Sequence, residues 1–99
     1  MNIKQEDLIR FWNWVGLNFK YSRAPELELD LIYRYAIPKL QKEGLAVTLI
    51  AYAGSRFNAR IIVSSFRNLQ ELANESADSP TEALYNAILK VIENETNKS

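Results

Sequence analysis

Apolar residues at helical spacing open the chain and predict a first helix from about Lys4 to Val15. Four of them share one face of that helix: Leu8, Phe11, Trp12 and Val15. Gly16 follows at the position where a left-handed glycine commonly ends a helix. Trp14 lies off this face, which predicts either packing against a neighbouring element or a contact surface.

A second helix is predicted to begin at Pro25, because proline fits the first turn of a helix, where its missing N–H is not needed. Three carboxylates, Glu26, Glu28 and Asp30, lie near this end, where the helix dipole stabilises negative charge. Apolar residues lie on two adjoining faces, so this helix should be covered on more than one side. Pro38 predicts a kink or a tightened last turn, and Gly44 should close the helix.

Alternating and β-branched residues then predict a β-hairpin. Leu45 to Ala53 is apolar on both alternating faces, which is typical of a central strand buried on both sides. A five-residue turn, Gly54 to Asn58, should connect it to a second strand from Ala59 to Ser65. The stretch from Phe66 to Asp78 suits either a short helix or a third strand, and we favour a strand near Leu69 to Ala73.

The C-terminal segment carries the clearest helix signal. Ser79 is placed to cap it, Pro80 takes the first helical position and Glu82 completes a capping box. Its core face consists of Leu84, Ala87, Ile88, Val91 and Ile92. Together these elements predict one α+β domain over residues 1–99, with α-β-α layers and the order α-α-β-β-(β)-α. The ordered core should span about 4–94, and the polar tail 95–99 should fray.

Composition then restricts the function. The chain has neither Cys nor His, which argues against zinc-thiolate sites, thiol nucleophiles and imidazole-based catalysis, so we do not expect an enzyme or a cofactor. Twelve basic and twelve acidic residues give a formal net charge of zero, which does not favour nucleic acid. The sequence shows no signal peptide and no membrane-spanning stretch, which predicts a cytoplasmic protein.

The order of these elements and their boundaries resembles the phage ABA sandwich domain family of small phage and prophage proteins. The matching features span roughly residues 8–93: Val15-Gly16, Pro25 opening a helix that runs to Lys39-Leu40, Gly44 before an apolar strand, and the segment Asp78-Ser79-Pro80-Thr81-Glu82-Ala83-Leu84. The family is named for its α-β-α layers and has no established catalytic motif. The resemblance implies a phage accessory protein in the bacterial cytoplasm, of a kind often found to bind and inhibit a host factor.

Two sets of residues are candidates for binding. Trp14, Tyr33 and Phe57 are large apolar residues that a partner protein could contact. Five basic residues could converge at one end of the sheet and hold an anion, or could simply be solvated: Arg56, Arg60, Arg67, Lys20 and Arg23. The acids near Pro25 lack the spacing of a metal-binding loop, so no metal is expected.

These observations lead to one principal prediction and one alternative. The principal prediction is a protein that occupies the surface of a host protein, such as one of antiviral defence. The alternative is a small-ligand protein, as a monomer or an oligomer, that sequesters an anionic, nucleotide-like signal. In either case a homodimer is expected, because a small domain with a wide apolar second helix gains by burying that helix in a twofold interface.

Overall fold

A three-stranded antiparallel sheet and three helices make up the described parts of the chain. The computed structural model describes residues 3–17, 24–64 and 69–97. We number its elements in chain order: α1 is Gln5–Val15; α2 joins Leu29–Leu31, the π-helical segment Ile32–Ala36 and Ile37–Lys42; β1 is Leu45–Tyr52; β2 is Arg56–Ser64; β3 is Leu69–Ala77; and α3 is Pro80–Asn97. The α+β class and the order α-α-β-β-β-α are confirmed. The predicted α-β-α layering is wrong for the described residues, because the helices pack on one face of the sheet and Thr48, Ile50 and Tyr52 are exposed on the other. The third strand exists and continues past Ala73 to Ala77.

Helix α1 has the predicted core face and the predicted end. Leu8, Phe11 and Trp12 are buried, and Val15 is partly buried. Gly16 has φ +115°, and its N–H bonds to the carbonyls of the last helical turn. The apolar face of this helix therefore packs inward, as its sequence pattern predicts.

Helix α2 begins at Leu29, so the prediction that Pro25 lies in its first turn is wrong. Side chains of α1 hold the preceding segment by hydrogen bonds. Gln5 bonds to both backbone groups of Ala24, and Trp12 Nε1 donates to the carbonyl oxygen of Pro25 at 3.0 Å. These bonds point the carbonyl groups of Ala24 and Pro25 toward α1. In a helix starting at Pro25, the same carbonyl groups would accept hydrogen bonds along the axis of that helix.

Pro38 follows a widened, π-helical turn of α2, a feature that the sequence pattern did not predict. The Ile37 N–H bonds to the carbonyl of Ile32, which is the five-residue spacing of a π-helix. Proline has no N–H for the carbonyl of Arg34, and its ring crowds that carbonyl. A widened turn just before the proline relieves this crowding while the helix continues to Lys42.

Strand β2 lies at the centre of the sheet, and β1 lies at one edge. The prediction of a central first strand, buried on both faces, is therefore wrong. Leu45 is buried and Val47 and Leu49 pack against the core, whereas Thr48, Ile50 and Tyr52 on the opposite face are exposed. Alternation explains the difference, because each strand presents successive side chains to opposite faces and only one face of β1 meets the core.

The hairpin turn is shorter than predicted. Tyr52 pairs with Arg56, so the loop is residues 53–55 and β2 begins within the predicted turn. Gly54 and Ser55 both have positive φ, at +82° and +61°. These left-handed residues reverse the chain within three positions, and the flanking residues stay in the strands.

One hydrophobic core lies between the sheet and the helices. The sheet contributes Ala59, Ile61, Ala73 and Ala77 to it. Helix α3 contacts all three strands, and Phe11 of α1 meets Tyr85 of α3 edge-on, with ring centroids 5.3 Å apart. Because α3 is covered by the sheet on one side and by α1 on another, its buried arc is wide.

Helix α3 begins as predicted and ends later than predicted. Ser79 Oγ accepts a hydrogen bond from the Glu82 N–H at 3.1 Å, which caps the helix. The five residues predicted for its core face are buried: Leu84, Ala87, Ile88, Val91 and Ile92. The helix continues to Asn97, beyond residue 94, where we expected the ordered core to end.

Candidate functional site

The exposed face of the sheet, which we call the outer face, changes from apolar to polar across its width. On β1 it presents Ile50 and Tyr52, which are 41% and 54% exposed. On β2 the residues opposite them are Asn58 and Arg56, and antiparallel partners lie on the same face. The apolar part of the outer face therefore runs along the edge strand β1.

Asn58 is a buried polar residue on this face, at 7% exposure. Its Nδ2 donates to Asn74 Oδ1 at 2.6 Å, to Ser76 Oγ at 3.1 Å and to the carbonyl of Glu75 at 3.3 Å. All three acceptors belong to β3. The network satisfies the buried amide and fixes β3 beside β2, so this half of the outer face is rigid.

The two arginines of β2 that we predicted as anion ligands are each paired with a carboxylate. Arg56 bonds to Asp78 at 2.8 Å, and Arg60 bonds to Glu71 at 3.0 Å. They share the outer face but lie four residues apart, roughly 13 Å along a strand. Paired and separated in this way, the two side chains do not converge on one anion. Lys20, Arg23 and Arg67 lie outside the described residues.

Trp14 packs within the molecule, which is one of the two alternatives that its position left open. Its Nε1 donates to Glu95 Oε2 at 2.8 Å, and Lys39 Nζ lies 4.1 Å from the ring centroid. Lys39 also forms an ion pair with Glu43 at 3.0 Å. These contacts link α1, α2 and α3, so Trp14 joins the three helices and offers only part of its ring to solvent.

The other two predicted contact residues differ from each other. Phe57 is partly buried and packs against the core. Tyr33 of α2 is 48% exposed, and its neighbour Tyr35 is 39% exposed. Of the three predicted contact residues, Tyr33 is thus the most accessible to a partner.

Ile50 and Tyr52 were missed by the sequence interpretation, which placed both in a buried central strand. A run without charges is typical of a strand covered on both faces. The composition of β1 alone therefore cannot distinguish an edge strand from a central one. The distinction depends on which strands pair, and pairing is a property of the tertiary structure.

A cleft of about 430 Å³ opens at the opposite end of the sheet from the hairpin turn. Leu45, Leu72 and Val91 supply its apolar lining, and Glu43 and Glu95 supply carboxylates. Among its described lining residues there is no cation. The cleft therefore does not suit the anionic ligand of our alternative prediction.

The described residues contain no cluster of three or more acidic side chains that could hold a metal ion. In the same parts of the chain, no helix is both long and apolar enough to cross a bilayer. Comparison of the chain with protein-family models, with curated proteins and with solved structures gave no match. The resemblance to the phage ABA sandwich family therefore stays a prediction.

Proposed function

We propose that this protein acts by binding another protein through the outer face of its sheet. The observation that carries the proposal is the pair Ile50 and Tyr52, two large apolar side chains exposed side by side on a face that no described element covers. The ion pairs and amides of β2 and β3 flank them. Exposed apolar residues bordered by polar groups mark a site of protein–protein contact.

We further propose that the partner is a host protein, such as one of antiviral defence, whose surface the chain occupies. The resemblance to phage accessory proteins supports this choice of partner. Tyr52 suits a contact with a protein surface, because a tyrosine side chain buries a large area on contact at a small entropic cost. No catalytic step is needed for inhibition of this kind.

The test is capture of a partner from bacterial lysate, followed by measured binding of the purified pair. The tagged chain should retain one protein in stoichiometric amount. Tyr52→Ser should then weaken binding by at least about tenfold, the effect typical of a contact residue at the centre of an interface.

Tyr33→Ser is the matched control, because it removes a tyrosine of similar exposure from α2 and not from the outer face. We expect it to leave binding unchanged. The absence of a stoichiometric partner would refute the proposed function. Weakening by Tyr33→Ser alone would place the contact on α2 and refute the assignment to the outer face.

A further inference from the structure

Strand β1 is an edge strand without the features that usually protect an edge. Within the described residues it pairs with β2 alone. Its sequence, LAVTLIAY, contains no charge, no proline and no glycine over eight residues. From Ile50 to Tyr52 all its side chains are exposed. Such a strand presents unpaired backbone groups to any strand that can align with them.

The opposite edge of the sheet, β3, is protected. It carries Glu71 and Glu75, and Glu75 lies opposite Ala59, on the core side of the sheet. The β2–β3 register also shifts between Ile61 and Ile62, which marks a bulge. Inward-pointing charges and bulges are the features by which natural sheets prevent edge-to-edge pairing. One edge of this sheet is therefore closed to a further strand and the other is open.

The open edge strand carries two of the large exposed apolar residues. Among the described residues, the large hydrophobic side chains that are exposed are Tyr33, Tyr35, Ile50 and Tyr52. All four belong to α2 or β1. These elements are consecutive, are joined by the turn at residues 43–44, and contact each other. Exposed large apolar side chains on the open edge strand indicate an interface that includes β1.

We infer that β1 pairs antiparallel with β1 of a second copy about a twofold axis, which gives a continuous six-stranded sheet. A strand can pair with a copy of itself in this symmetric way, because in a twofold contact every pairing of one residue with another is repeated with the two copies exchanged. The uncharged strand brings no like charges together, and the zero net charge of the chain adds no long-range repulsion.

A second copy also accounts for the composition of the outer face. In-plane pairing leaves that face open and places Ile50 and Tyr52 of both copies on its two central strands, on either side of a twofold axis near Thr48. The ion pairs Arg56–Asp78 and Arg60–Glu71 then lie toward the two sides. The apolar margin of one protomer becomes the centre of the dimer's face, which is the arrangement of an interface with a polar rim. The dimer does not depend on the identity of any host partner.

The first test is the mass of the full chain in solution, by light scattering and sedimentation over a range of concentrations. We expect twice the monomer mass of 11.4 kDa. Thr48→Glu, near the middle of β1, should raise the dimer dissociation constant by at least about tenfold, because the twofold axis brings the two new carboxylates together.

Asn74→Glu is the matched control. Thr48 and Asn74 lie on either side of Arg60 on the outer face, one on each edge strand, so both changes place a carboxylate beside the same arginine. Only the change on β1 should dissociate the dimer. A monomer at every concentration, or a dimer that Thr48→Glu leaves intact, would overturn the inference. Dissociation by Tyr33→Ser alone would overturn it in favour of an α2 interface.

Cross-linking provides a test that does not require Thr48→Glu to fold. The chain has no cysteine, so a single one can be introduced without side reactions. Thr48→Cys treated with a short bismaleimide should give a covalent dimer, and Asn74→Cys should give no covalent dimer. A covalent dimer from Asn74→Cys and none from Thr48→Cys would also overturn the inference. None of these results bears on capture of a host protein, so the two proposals can fail separately.

Discussion

Two tryptophans of α1, two positions apart, have different roles that follow from their burial. Trp12 is fully buried, and its indole N–H bonds to the Pro25 carbonyl inside the protein. Trp14 is partly exposed, and its N–H bonds to the carboxylate of Glu95 at the surface. The same residue type at nearly the same place therefore contributes differently to stability.

We expect Trp12→Phe to lower the free energy of unfolding by about 2–3 kcal/mol, because it leaves a cavity and an unsatisfied carbonyl. Trp14→Phe should cost about 1 kcal/mol or less, since exposed polar contacts contribute little. Urea denaturation of the two variants measures both values. Equal losses would contradict the difference in burial on which the prediction rests.

Tyr85 links stability to alkaline pH. Burial raises the pKa of its phenol, the carboxylate of Asp7 raises it further, and Arg10 opposes them. Because the folded pKa exceeds the unfolded value, the folded state holds this proton more tightly. The resulting stabilisation is complete below the unfolded pKa, about 10, and is lost as pH rises through the folded pKa.

When the pH is raised from about 9 to about 11, the free energy of unfolding of Tyr85→Phe should therefore fall by less than that of the natural chain. Denaturant unfolding at the two pH values gives the comparison. Tyr33→Phe is the control, because Tyr33 is largely exposed, and it should follow the natural chain. If Tyr85→Phe also followed the natural chain, the proposed link between Tyr85 and alkaline stability would be wrong.

At the scale of elements, helix ends were predictable where local chemistry alone sets them. Ser79 and Gly16 act through bonds within one or two turns, and both were identified from the sequence. The start of α2 was not, because side chains of α1 hold Ala24 and Pro25. Those partners lie 13 to 19 residues away along the chain, beyond the reach of a local pattern.

The cap of α3 allows a direct test at this scale. Ser79→Ala should lower stability by about 1 kcal/mol, because the Glu82 N–H loses its side-chain acceptor. Ser79→Gly should cost only a few tenths of a kcal/mol, roughly, since glycine is itself tolerated at an N-cap. Thermal or urea unfolding distinguishes the two. A larger loss for glycine would indicate that the backbone conformation at Ser79, and not its hydroxyl, sets the helix start.

At the scale of the whole molecule, the two sides of the sheet have different roles. One side forms the core with the helices, and the other carries Ile50 and Tyr52 in the open. The helical layer is joined by Trp14 through its contacts with Lys39 and Glu95. The proposed partner surface and the proposed dimer edge both belong to the hairpin. The helices form the core and contribute stability.

The candidate site was only partly predictable, because part of it depends on contacts between residues that are distant along the chain. Tyr33 was identified as a leftover apolar residue on a helix, and it is exposed. Arg56 and Arg60 were predicted as anion ligands or solvated arginines, but Asp78 and Glu71, 11 to 22 positions away along the chain, pair with them. Ile50 and Tyr52 were overlooked because an uncharged strand is compatible with both a central and an edge position.

The sequence by itself determined that α1 and α3 are helical and that the hairpin segments are extended, which residues of α1 and α3 face the core, and where Ser79 and Gly16 set helix ends. These features depend on periodicity and on contacts within a turn or two. Only the tertiary structure decided that β1 is an edge strand, that side chains of α1 hold the segment before α2, and that Arg56 and Arg60 are paired. Those outcomes depend on which distant segments contact one another. The local pattern of apolar and polar residues does not predict these contacts.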